Sequence, residues 1–172
     1  MNIKFFSILI VFVLFFSCKK TVSENTENNT SENVNQDITE SDIAKLNFID
    51  FILDEKTEKA IEEWVEYYQL QEVIANVKKG DLSFFNDNKK IITTLLKDLK
   101  INIPKKVNTS ATLARIQVLE TKLLKLESLS NLTTTNKEEL NNTIKEFFES
   151  FSNLNFQMNK KLEKDSRNIQ KP

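Results

Sequence analysis

Apolar positions fall into one almost continuous run and a series of periodic stretches. The run covers residues 5–16, with Lys4 before it and Lys19 and Lys20 soon after. Beyond a polar interval, Ile43, Leu46, Ile49 and Leu53 recur every three or four residues, and Phe48, Phe51 and Ile52 widen the stripe. Charge dominates 54–59, after which Ile61, Trp64, Tyr67, Tyr68, Leu70, Val73, Ile74 and Val77 resume the period. Such spacing predicts amphipathic helix, either one helix over 41–78 or two with a bend near 54–57. Thr39 or Ser41 suits its N-cap. Lys78-Lys79-Gly80 suits its end, with cations in the last turn and glycine at the left-handed position.

Asp81 or Ser83 opens a second helix that carries Phe84, Phe85, Ile91, Ile92, Leu95, Leu96 and Leu99 to about Lys100. Pro104 then enforces a connection, because it lacks an N–H and restricts the residue before it. Thr109 or Ser110 caps a third helix with Leu113, Ile116, Leu119, Leu123, Leu126 and Leu129, which ends across 130–135. The fourth opens at Thr135 or Asn136, has Glu138 and Glu139 in its first turn, and carries a near-heptad seam of Leu140, Ile144, Phe147, Phe151, Leu154, Met158 and Leu162. Four amphipathic helices with short loops predict an all-α domain over 38–165, an antiparallel up-down four-helix bundle whose first helix is long or bent. Residues 166–172 are expected to fray.

The interval 21–37 is rich in Ser, Thr, Asn and Glu, with Val22 and Val34 among its few apolar residues. It cannot bury enough surface to offset ordering entropy, so residues 18–37 are expected to be a disordered tether. The apolar run before it is shorter than the roughly 20 residues that cross a bilayer and fits the central region of a secretion signal. Ordinary cleavage wants small residues at −3 and −1. Ser17 suits −1, whereas Phe15 is bulky.

Leu14, Ser17 and Cys18 resemble the lipobox that closes the signal of bacterial lipoproteins, with Phe15-Phe16 standing where many members carry an aliphatic and a small residue. The resemblance implies a signal peptide over 1–17, cleavage between Ser17 and Cys18, and a diacylglyceryl thioether on Cys18, usually with a third acyl chain on its amine. Two or three chains hold a protein stably at a membrane where one holds it marginally. Lys19 follows the cysteine, not the aspartate that favours inner-membrane retention in some lineages. That implies the outer membrane, facing the periplasm, with the cell surface as the alternative. The other readings of this stretch are an uncleaved signal anchor and a buried free thiol.

Composition narrows the chemistry. There is no histidine, one cysteine, one glycine and two prolines in 172 residues. No internal disulfide can form, the commonest general base and metal ligand is missing, and turn-rich β-folds are disfavoured. Net charge is −1 overall, with residues 19–42 at −4 and 43–172 at +2, which does not suggest a nucleic-acid partner. Glu55, Glu58, Glu62, Glu63 and Glu66 have helical spacing, but carboxylate-bridged metal bundles add Glu-x-x-His motifs, and the interleaved Lys56 and Lys59 suit solvated ion pairs. Nothing supports a nucleophile, a phosphate loop, a metal or a cofactor, so a non-enzymatic protein is expected.

The candidate contact residues are aromatic. Trp64, Tyr67 and Tyr68 cluster within two turns; Trp64 suits a core, and the tyrosines point about 100° apart on a helix, so one of them is expected at the surface. One of Phe84 and Phe85 should be buried, leaving the other as a docking handle. The expectation is a membrane-anchored accessory or binding lipoprotein of the cell envelope, with Tyr67, Tyr68, Phe84 and Phe85 as contact candidates and an envelope protein as partner. The alternative is a spacer that self-associates through its last helix.

Overall fold

The computed structural model describes residues 37–167; Ser17, Cys18 and almost all of the expected tether lie outside them. The described chain is all-helical, without strands. Its helices are α1 (Glu40–Ile43), α2 (Glu55–Ala60), α3 (Val65–Lys78), α4 (Lys89–Ile101), α5 (Ser110–Ser130) and α6 (Lys137–Ser166), with a 3₁₀ turn at Ser83–Phe85 between α3 and α4.

The two longest helices start where side-chain caps are available. The Thr109 hydroxyl accepts the Thr112 N–H, and Asn136 Oδ1 accepts the Glu139 N–H, so each helix satisfies one otherwise unpaired amide. Ile116, Leu119, Leu123 and Leu126 of α5 are buried with Leu140, Ile144, Phe147, Phe151, Leu154 and Met158 of α6 in one core. Glu146 of α6 bridges Lys122 and Lys125 of α5 at 3.2 and 3.0 Å. Lys100 of α4 reaches both carboxylate oxygens of Glu120 on α5 at 3.0 Å, and Asn102 after α4 donates to Glu66 of α3 at 2.6 Å. Each of α3–α6 is thus tied to its neighbour in sequence.

Gly80 ends α3 with φ +83°. The Asp81 N–H donates to the Asn76 carbonyl and the Gly80 N–H to that of Val77, the paired bonds of a Schellman stop. The same glycine admits the N-terminal segment, since a Cβ there would lie 2.7 Å from the Ile38 carbonyl oxygen. α1 follows directly. Thr39 and Asp42 form its capping box, and Lys137 Nζ meets Asp42 Oδ2 at 2.7 Å.

The long or bent first helix expected over 41–78 does not form. In its place stand α1, a non-helical segment over 47–54, α2 and α3. Ile49 and Ile52, which helical spacing placed on the buried stripe, are 70% and 79% exposed. Phe48 and Leu53 pack on the core instead. The cause is tertiary: side chains of α6 take up the backbone polar groups that a helix would have paired internally.

The expected second helix start is also displaced. Ser83–Phe85 is a 3₁₀ turn, Asp87 has φ 53°, and α4 begins only at Lys89. Asn131, which caps the end of α5, donates to the Phe85 carbonyl at 2.8 Å and accepts the Asp87 N–H at 3.2 Å. Those bonds hold the chain out of helix.

Candidate functional site

Residues 47–54 form a strap laid along α6. The Ser152 hydroxyl donates to the Ile49 carbonyl at 2.6 Å and accepts the Phe51 N–H at 2.7 Å. One turn on, Asn155 Nδ2 donates to the Phe51 carbonyl at 3.0 Å. Asn159 then donates to the Ile52 carbonyl at 2.8 Å and accepts the Asp54 N–H at 3.1 Å. Positions 152, 155 and 159 share one helix face. Ser152 and Asn155 are buried there, where an unpaired polar group would cost about 1–3 kcal/mol. Tilted aromatic contacts add to the seam: Phe48 lies 5.4 Å from Phe148 and Phe51 4.6 Å from Phe156, centre to centre.

Asn155 also connects the strap to α3, because its Oδ1 accepts the Tyr67 hydroxyl at 2.9 Å. Tyr67 has no exposed surface. Its ring stacks against Trp64 and Phe151 at 5.7 and 5.3 Å and meets Tyr68 edge-on at 5.4 Å. Trp64, at the start of α3, is buried as well. The pair of tyrosines therefore divides: Tyr67 is fixed inside, and Tyr68 is left half-buried.

Between strap and α3 lies a groove of about 440 Å³. Asp50 and Phe51 line one wall, Tyr68 and Lys78 the other, and Glu58 of α2 is also among its lining residues. Lys78 Nζ pairs with Asp50 Oδ2 at 2.7 Å. Burial pushes the Tyr67 hydroxyl far above the usual phenol range, and the charges of Glu58 and Asp50 add to that. Tyr68 is raised too, by burial first and then by Glu58 and Glu62. Both hydroxyls stay protonated at physiological pH, and the groove presents the Tyr68 ring together with the Glu58 carboxylate.

The other sequence candidates lie elsewhere. Phe85 is fully buried, edge-on to Phe147 at 6.5 Å, while Phe84 is half-buried against Phe85 at 5.4 Å. Neither lines the groove. The acidic run is divided among α2 (Glu55, Glu58), the turn after it (Glu62, Glu63) and α3 (Glu66). Among the described residues no group of three or more His, Cys, Asp and Glu is placed to hold a metal ion, and no helix is long and apolar enough to cross a membrane. Cys18 and Ser17 fall outside the described residues.

Sequence reasoning missed the strap and the Ser152–Asn155–Asn159 ladder. A signal was present, because three small polar residues recur at helical spacing beside the apolar seam of α6. Comparison of the chain with protein-family models, with curated proteins and with solved structures returns no match.

Proposed function

We propose that the chain is a lipid-anchored, non-enzymatic binding protein of the bacterial cell envelope, held at the outer membrane through Cys18 and facing the periplasm. The alternative address is the cell surface. Residues 18–37 act as the tether, and the groove beside Tyr68 is the contact surface for an envelope protein. The observation that carries the binding half is the division of the tyrosine pair: Tyr67 is locked by Asn155, and that fixes Tyr68 half-buried in the groove. The anchor half rests on the apolar run that closes at Ser17-Cys18.

Within the helical domain we read α3–α6 as the members of an antiparallel up-down four-helix bundle, with α1, the strap and α2 as additions to it. The Asn102–Glu66, Lys100–Glu120 and Lys122/Lys125–Glu146 contacts support this, since each joins helices that are consecutive in sequence. Self-association through α6 is the weaker reading, because its seam from Leu140 to Met158 is buried in this chain's own core.

The test is fractionation of cells that carry wild-type protein or Cys18→Ser, combined with a photo-crosslinking residue at position 68. The wild type should follow the membrane fraction and be released by detergent, the variant should leave it, and position 68 should crosslink to a discrete protein. Wild type in the soluble fraction refutes the anchor. A photo-crosslinker at 68 that captures nothing refutes the contact surface.

A further inference from the structure

The groove has a direction. Tyr68, Gln71, Ala75 and Lys78 all line it and recur at three- and four-residue steps, so they share one side of α3. At 1.5 Å per residue they span about 15 Å. The strap runs the opposite way along the facing wall, with Asp50 beside Lys78 and Asp54 capping α2, which carries Glu58.

At the Lys78 end, the ammonium is held by two features together: the Asp50 carboxylate at 2.7 Å and the Phe148 ring, whose centre is 5.9 Å away. A carboxylate combined with an aromatic face is a good environment for a partly desolvated cation. The Tyr68 end also brings a ring and a carboxylate into the lining. Its ring is half-exposed, Glu58 lines the groove beside it, and among the described residues no lysine or arginine pairs with Glu58 or Glu62. Between the ends the strap wall is largely apolar, with Phe51, Ile52 and Leu53 all lining the groove.

We propose that the Tyr68 end of this groove receives a lysine or arginine side chain from an extended basic segment of a partner protein. The Tyr68 ring lies against the cation, Glu58 supplies its counter-charge, and the strap wall covers the neighbouring apolar atoms. The inference rests on the reading of the groove as the contact surface and adds the chemistry of the partner. A length of about 15 Å, with an apolar strap wall running on from Glu58, the single unpaired carboxylate among the described lining residues, suits a peptide rather than a small amine.

The probe is a short fluorescent peptide alternating lysine and alanine, titrated into the full chain in neutral detergent and followed by anisotropy. Saturable binding is expected, with Tyr68→Ala weakening it about three- to thirty-fold, Glu58→Gln weakening it, Tyr68→Phe binding like wild type, and the lysine-acetylated peptide failing to bind. Circular dichroism and the thermal midpoint show that each variant is folded. No saturable binding, or binding unchanged in Tyr68→Ala and Glu58→Gln, overturns the proposal. Competition by spermidine at equal concentration would replace the peptide by a small polyamine. Tyr68-dependent binding of the acetylated peptide would refute the cation and leave the groove as the contact surface, which separates the two failures.

Discussion

Ser152 and Phe51, 101 positions apart, are joined by a 2.7 Å hydrogen bond from the Phe51 N–H to the Ser152 hydroxyl, which in turn donates to Ile49. One hydroxyl thereby serves two backbone groups that an adjacent strand would serve in a sheet. With Asn155 and Asn159 it lets an extended segment lie on a helix without leaving these groups unpaired. The groove beside Tyr68 exists because the strap is there to form its wall.

Removing the hydroxyl in Ser152→Ala leaves the Phe51 N–H and the Ile49 carbonyl to find water. A loss of about 1–3 kcal/mol is expected, together with faster amide exchange at Phe51, while α5 keeps its protection. Denaturant melts and hydrogen exchange check this. Unchanged exchange at Phe51 would contradict the role given to Ser152.

Tyr67 and Tyr68 should differ sharply on truncation. Tyr67→Ala empties a fully buried site and leaves Asn155 Oδ1 without its donor, so about 3–5 kcal/mol is expected, as for other buried aromatics. Tyr68→Ala should cost less than half of that, because its side chain already meets solvent. Equal losses in urea melts would show that the two are not divided into core and surface.

Much of this was legible in advance, and what was not has one physical cause. Thr109, Asn136 and Gly80 are local signals, and they act where the chain meets its own neighbours a few residues away. The strap could not be read that way: Phe48, Phe51 and Leu53 also fit a helical stripe, and the groups that hold them extended lie 101–107 positions later. The turn at Phe85 depends likewise on Asn131, 46 positions on. Helical spacing showed that only one of Tyr67 and Tyr68 could be buried. Which one was decided by Asn155.

Gly80 is constrained twice, by its left-handed φ and by the Ile38 carbonyl. In Gly80→Ala the backbone conformation alone should cost about 1–2 kcal/mol, and the close approach should push the 38–40 segment off the end of α3. A thermal midpoint within error of wild type would remove both claims.

Acid should loosen the same corner. Lys137 and Thr39 hold the Asp42 carboxyl below the usual carboxylate range. Its folded pKa is depressed, so its contribution is fully present above the unfolded value near 3.9 and drains away as pH falls below that. Asp42→Asn should flatten the acid limb of the stability profile between about pH 4 and 2. An acid limb as steep as in wild type would exclude Asp42 as a contributor.

Alkali should act through Tyr67, whose folded pKa is raised by burial. The protonated form is favoured in the folded state, so this stability is complete below about pH 10 and is lost as pH rises further. With only two tyrosines in the chain, ultraviolet titration should show Tyr68 ionising while the protein is folded and Tyr67 ionising only with unfolding. Both titrating together in the folded protein would contradict the sealed Tyr67–Asn155 contact.

The proposed anchoring of the helical domain at a membrane through Cys18 is open to mass spectrometry of the mature N-terminus. A chain that begins at Cys18 with a diacylglyceryl group on its sulfur is expected, and a Cys18→Ser product without acyl chains. A wild-type product that retains Met1, or that begins at Cys18 without lipid, would contradict it.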